Sequence, residues 1–289
     1  MEFRGAYTAL ITPFTADGVD FDRLRALVDR QIELGIDGVV PCGTTGESPT
    51  LSHDEHRLVV ETVIDQVAGR VPVIAGTGSN STTEAIELSR HAAGAGANAL
   101  LVITPYYNKP TQEGLFQHFK AVACATDLPI VLYNVPGRTG VSFLPETVRR
   151  LAVLPSVVAI KEASGSLDFA TEMAAIEGMA LLSGDDSLTL PLLAVGGKGV
   201  IAVISNLLPG ETSRLVKVAL DGDFKEAARL HHKFYPLCKA LFAETNPGPV
   251  KAAMALLGLD SGRVRLPLVE VRPETRERLR ECLVDVGLL

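Results

Sequence analysis

Two kinds of apolar pattern alternate along this chain. Short runs rich in β-branched residues are apolar at consecutive positions and close on Gly, Thr, Asn or Asp. Each is followed by a longer stretch whose apolar residues recur at helical spacing. The runs predict strands over residues 7–13, 38–42, 71–75, 99–104, 130–134, 157–162, 180–183 and 200–205. A strand that is apolar on both sides, with no inside–outside alternation, belongs to a parallel sheet covered by helices on both faces.

The intervening helices carry start and stop signals. Asp20 precedes the helical pattern of residues 21–34, while Ser52 with Glu55 and Ser81 with Glu84 have the spacing of capping boxes. Gly35, Gly69 and Gly94 stand where helices end, a few residues before the next strand. Eight such units without a break in composition predict an α/β fold of the closed (β/α)8 type, a TIM barrel, over residues 1–223. Residues 224–289 read as a C-terminal helical region, punctuated by Pro247, Pro249 and Pro267.

Composition narrows the function classes. With 289 residues, 47% hydrophobic and 21% charged, the chain can bury a core without disulfides or a structural metal, and disorder is excluded. Its 27 basic against 34 acidic side chains give a net charge of −7, so nucleic acid is not an expected partner. Residues 1–10 lack a basic segment followed by an apolar one, which points to the cytoplasm. The most apolar stretch, residues 187–210, contains Pro191, Lys198, Asn206 and Pro209, so it reads as a core helix and a core strand, not a membrane span. Cys42, Cys124, Cys238 and Cys282 form no CxxC pair and are expected to be buried free thiols.

In a barrel of this kind chemistry sits where the strands end. Lys161 closes the apolar run Val157-Val158-Ala159-Ile160, a setting in which desolvation disfavours the ammonium and favours a nucleophilic amine. The alternative is an ion pair with Glu162 or a nearby aspartate, although strand alternation sends the Glu162 side chain to the opposite face. Tyr133 and Thr44 can relay protons, or can be packing and turn residues. The loop from Gly43 to Gly46 can offer N–H groups and the Thr45 hydroxyl to a carboxylate. Arg138 is a carboxylate clamp if it points into the barrel mouth and a solvated loop charge if it does not.

Other motifs fail on context. The glycine spacing of residues 94–99 lies between a helix and a strand, the reverse of a dinucleotide-binding turn, and Gly196-Gly197-Lys198-Gly199 lacks the remainder of a phosphate loop. His53 and His56 have metal-ligand spacing but no evident third ligand, and no metal site is expected.

Taken together, Gly43-Thr44-Thr45-Gly46-Glu47-Ser48, Tyr106-Tyr107-Asn108-Lys109-Pro110, Tyr133-Asn134-Val135-Pro136-Gly137-Arg138-Thr139, Ile160-Lys161-Glu162-Ala163 and Asn246-Pro247-Gly248-Pro249-Val250-Lys251 resemble the dihydrodipicolinate synthase family. This family lies within the N-acetylneuraminate lyase superfamily of pyruvate aldolases, and the likeness runs end to end. It implies that Lys161 forms a Schiff base with pyruvate, whose enamine attacks aspartate semialdehyde. It further implies a proton relay of Tyr133, Thr44 and Tyr107, with Tyr107 reaching in from a neighbouring subunit of a homotetramer. Thr45 would hold the pyruvate carboxylate and Arg138 that of the semialdehyde, while Gly184 and Ile201 would contribute backbone to the wall. No cofactor is implied.

Ser48, His53, His56, Asn80, Glu84 and Tyr106 match the members that L-lysine inhibits. Pro49 departs from the alanine common in that loop. Because proline keeps its carbonyl and loses only its N–H, lysine inhibition is still expected. Two other readings remain open: a sister aldolase acting on a sugar acid, and a non-catalytic scaffold that binds a small molecule.

Overall fold

The computed structural model describes residues 2–289 and contains eight parallel strands: β1 (Gly5–Ala9), β2 (Gly38–Val40), β3 (Ile74–Gly76), β4 (Ala99–Ile103), β5 (Ile130–Asn134), β6 (Val157–Glu162), β7 (Ala180–Ser183) and β8 (Gly199–Ala202). Their hydrogen-bonded order is β2-β1-β8-β7-β6-β5-β4-β3, and a parallel bridge between Val39 and Val73 joins the two ends into a ring. Helices follow the strands and form the outer layer.

The consecutive apolar positions now have their explanation. One set of side chains, including Tyr7, Val40, Leu101, Val131, Tyr133, Leu182 and Ile201, fills the inside of the ring. The alternate set, including Ile130, Leu132, Ile160 and Val200, packs outward against the helices in a larger cluster. That outer cluster runs without interruption into the C-terminal helices through Leu237, Met254 and Leu279.

The three largest departures from the expected strand ends, at β1, β3 and β8, arise where a side chain takes a backbone donor. β1 stops at Ala9, and the chain up to Pro13 leaves the sheet, with Asn206 supplying Oδ1 to the Ile11 N–H. β3 begins only at Ile74 because the Val73 N–H is taken by the Asn98 side chain at 2.8 Å. β8 ends at Ala202 because the N–H groups of Val203 and Ile204 turn to the Asp186 carboxylate, at 3.0 and 2.7 Å.

The helix starts at Asp20 and Ser52 are as expected, and Ser52 with Glu55 forms a complete capping box. Ser81 caps its helix with its hydroxyl, but the Glu84 carboxylate bonds Ser79 instead of closing the box. Gly94 lies inside the helix Thr82–Ala95, and the stop is Gly96, whose left-handed φ of 98° ends it. Cys124 is exposed at the end of the helix Gln112–Ala123, while the other three cysteines are buried free thiols. The stretch after Ser187 is broken into a helix, β8 and a 3-10 turn, and among the described residues no helix is long and apolar enough to cross a membrane.

Candidate active site

Alternation along β6 turns Ala159 and Lys161 into the ring and Glu162 out of it. Glu162 accepts a hydrogen bond from the Asn134 side chain at 2.8 Å and another from the Ser164 N–H, and burial raises its pKa. The pairing of Lys161 with Glu162 therefore fails. Lys161 is only 6% exposed, and its Nζ stands 4.3 Å from the centre of the Tyr133 ring, one register step across the β5–β6 ladder. Gly184, beyond the end of β7, makes room for the lysine stem. A Cβ there would lie 2.9 Å from Lys161 Cε.

Thr44, Tyr133 and Arg138 share the lining of one cleft of about 280 Å³ at the mouth of the ring, with Tyr106 and Leu101 on its walls. The loop that supplies Thr44 is a tight turn: Gly46 N–H and Glu47 N–H donate back to Gly43 and Thr44, and the Thr12 hydroxyl donates to Gly46 O at 2.7 Å. Among the described residues the N–H groups of Thr44 and Thr45 make no hydrogen bond within the chain. Gly76 lets the loop approach closely, since a Cβ there would collide with Cys42 O.

Arg138 belongs to the short turn Pro136–Thr139 that follows β5. It is exposed, but it lines the cleft and donates to the backbone carbonyl of Asn246 at 3.1 Å. Thr45 is buried just behind the cleft, and its Oγ1 accepts a hydrogen bond from Asn246 Nδ2 at 3.0 Å. Ile201 is buried within the ring on β8. Tyr107 is not brought to the cleft of its own chain: it is 89% exposed, with a left-handed φ of 72°.

Four residues of consequence had no assigned role in the sequence reading. Glu47 and Lys251 form an ion pair of 2.6 Å with both side chains sealed from solvent. Lys251 also donates to Thr12 O, and the second Glu47 oxygen accepts the Arg265 N–H. Asn246 touches both Thr45 and Arg138. Asp186 is buried, which pushes its pKa up to about 6 against the opposing pull of the Ile204 and Val203 N–H groups. Glu47, Asn246 and Lys251 belong to motifs that the sequence displays, but their partners lie some two hundred residues away in the chain.

A second pocket of about 170 Å³ lies behind the first, lined by Ser48, Pro49, His53, His56, Glu84 and Tyr106 among others. Ser48, Pro49, Gly78 and Tyr106 line both spaces. His53 Nε2 meets Glu84 at 3.0 Å. His56 Nε2 lies 2.9 Å from Gly76 O, and since a carbonyl can only accept, this nitrogen carries the proton. Its Nδ1 is then a bare acceptor without a partner, and burial lowers the pKa of the ring to about 4, so it is neutral at pH 7. Asn80 stands outside this lining, where its backbone carbonyl accepts the Asn108 side chain at 2.9 Å.

Known proteins of the same shape carry related names. A family model described as the dihydrodipicolinate synthetase family matches residues 2–285. The chain is 55% identical over 289 residues to a 4-hydroxy-tetrahydrodipicolinate synthase of Syntrophus aciditrophicus, covering 99% of each chain. The structure superposes with a TM-score of 0.97 on a dihydrodipicolinate synthase from Acinetobacter baumannii complexed with pyruvate, at 45% identity and 100% of both chains. It matches the enzyme from Cyanidioschyzon merolae with lysine bound equally well, with a TM-score of 0.97 at 43% identity over 99% of both chains.

Proposed function

The chain belongs to the dihydrodipicolinate synthetase family, and from that premise we propose that Lys161 runs its reaction, condensing pyruvate with L-aspartate 4-semialdehyde to 4-hydroxy-tetrahydrodipicolinate in the lysine and diaminopimelate pathway. The observation that carries the assignment is the placement of Lys161. It is sealed in the mouth of the ring without a carboxylate partner on its own strand, beside a tyrosine and a cleft lined by Thr44 and Arg138.

The Lys161 amine attacks the keto carbon of pyruvate, and loss of water gives an imine. Protons pass to and from the carbinolamine through Tyr133 and Thr44, whose hydroxyls can donate and accept at once. The imine withdraws electrons, so a methyl proton is lost and an enamine forms. The enamine carbon attacks the aldehyde of the semialdehyde. The amine of the adduct then displaces Lys161 from the imine carbon, which closes the ring and restores the free lysine. Bond for bond, the two substrates give the product and one water.

Thr45 and the N–H groups of its turn hold the pyruvate carboxylate, and Arg138 holds that of the semialdehyde. Gly184 and Ile201 complete the wall. Tyr107 acts in the relay of a neighbouring subunit within a homotetramer. Its exposure and its left-handed backbone, which project the ring away from its own chain, support this reading. We place the enzyme in the cytoplasm. A coupled assay separates this activity from that of a sugar-acid aldolase. Aspartate semialdehyde should be the preferred acceptor, and faster cleavage of N-acetylneuraminate or 2-keto-3-deoxygluconate would overturn the assignment.

L-Lysine binds in the second pocket and inhibits. Glu84 and the bare His56 Nδ1 suit an ammonium, and Ser48 and Tyr106 offer hydroxyls to a carboxylate. Millimolar L-lysine should therefore lower the rate, and Glu84→Gln should weaken inhibition by roughly tenfold, the worth of one charge-assisted contact. Activity indifferent to L-lysine would sink the regulatory reading while leaving the catalytic one intact.

A further inference from the structure

Thr45 and Asn246 lie 201 residues apart in the chain, yet they meet through a buried hydrogen bond of 3.0 Å. Asn246 is 5% exposed and lies two residues before the helix Gly248–Leu256. That helix carries Lys251, whose ion pair with Glu47 pins the same loop two residues beyond Thr45. The contact is thus one of three attachments between the C-terminal region and the turn that presents N–H groups to the cleft, the others being Lys251 and the Arg265 N–H on Glu47.

The direction of that contact has a chemical consequence. A hydroxyl has one proton and two lone pairs. Asn246 Nδ2 gives its own proton to Thr45 Oγ1 and occupies one lone pair, which leaves the hydroxyl proton free to be donated elsewhere. Asn246 Oδ1, which could have drawn that proton, is turned away and has no partner. We propose that Asn246 is a positioning residue that fixes the polarity of the Thr45 hydroxyl, making it a donor toward the pyruvate carboxylate. The inference rests on the reading that Thr45 holds that carboxylate. Aspartate has nearly the same shape but offers only acceptors. At this position it would pull the Thr45 proton away from the cleft, while the backbone carbonyl of residue 246 would still receive Arg138.

The test is steady-state kinetics on the intact enzyme in two backgrounds, natural and Thr45→Val. Thr45→Val alone should raise the KM for pyruvate. Asn246→Asp should raise it about tenfold in the natural background, with kcat within about twofold, as for loss of one hydrogen bond to a charged group. In the Thr45→Val background the same substitution should change KM by less than about twofold, since no hydroxyl remains to be turned. An equal rise in both backgrounds would mean that the aspartate acts by repelling the substrate or by disturbing the loop, and would overturn the proposal. Should Asn246→Asp fail to fold, Asn246→Ala serves. It frees the hydroxyl to rotate, so a smaller rise confined to the natural background is expected, and the same rise in both backgrounds overturns the idea. If Thr45→Val leaves KM unchanged, the assignment of Thr45 itself falls. If Thr45→Val raises KM and neither Asn246 variant does, only the role of Asn246 is lost.

Discussion

Lys161→Ala should abolish turnover, with kcat reduced at least about a thousandfold, because no other group in the cleft can form the imine. The control is chemical. The natural enzyme treated with pyruvate and borohydride should acquire one reduced adduct by mass spectrometry, mapped to Lys161, and Lys161→Ala should acquire none. An adduct on another residue would move the nucleophile, and no adduct on the natural enzyme would favour a scaffold that merely binds small molecules. The expectation stems from burial. A lysine only 6% exposed as a residue, with an aromatic face 4.3 Å from its amine and its neighbouring glutamate on the far side of the strand, occupies a costly position that packing alone does not require.

The largest effect on stability is expected at Lys251. Its ammonium and the Glu47 carboxylate are both closed to solvent, so removing one leaves the other charged, buried and unpaired. Such a loss typically costs roughly 3–5 kcal/mol. For a chain of this size, that corresponds to a fall in melting temperature on the order of 10 °C for Lys251→Ala. Replacing both partners, as Glu47→Gln with Lys251→Met, should recover much of the loss, because the stranded charge is gone. A single variant that melts within about 1 °C of the natural protein would refute the account. Here the cost of burial outweighs the attraction as the cause of sensitivity: burial lowers the lysine pKa even though Glu47 pulls it upward.

The features visible in the sequence and those hidden from it divide on physical grounds. The eight strands were legible because each is buried on both faces and so reads as an unbroken apolar run. Lys161 was legible because a charge ending such a run contradicts its surroundings. The ends of β1, β3 and β8 were not, because they depend on Asn206, Asn98 and Asp186, side chains from elsewhere that intercept ladder bonds. The same holds for the site. Thr44 and Tyr133 announce themselves by local pattern. Glu47, Asn246 and Lys251 gain their meaning only when the C-terminal helices fold back over the ring mouth, a contact that no local periodicity encodes.

Ser48, Pro49, Gly78 and Tyr106 form a single partition with a chamber on either side. A signal crossing it need travel only the thickness of one layer of side chains, with no relay through the barrel. The same economy ties the two rooms together in evolution. A substitution in that partition that retunes sensitivity to an effector must also reshape the space where substrate sits, so the two properties can drift apart only through residues such as Glu84 that face one chamber alone.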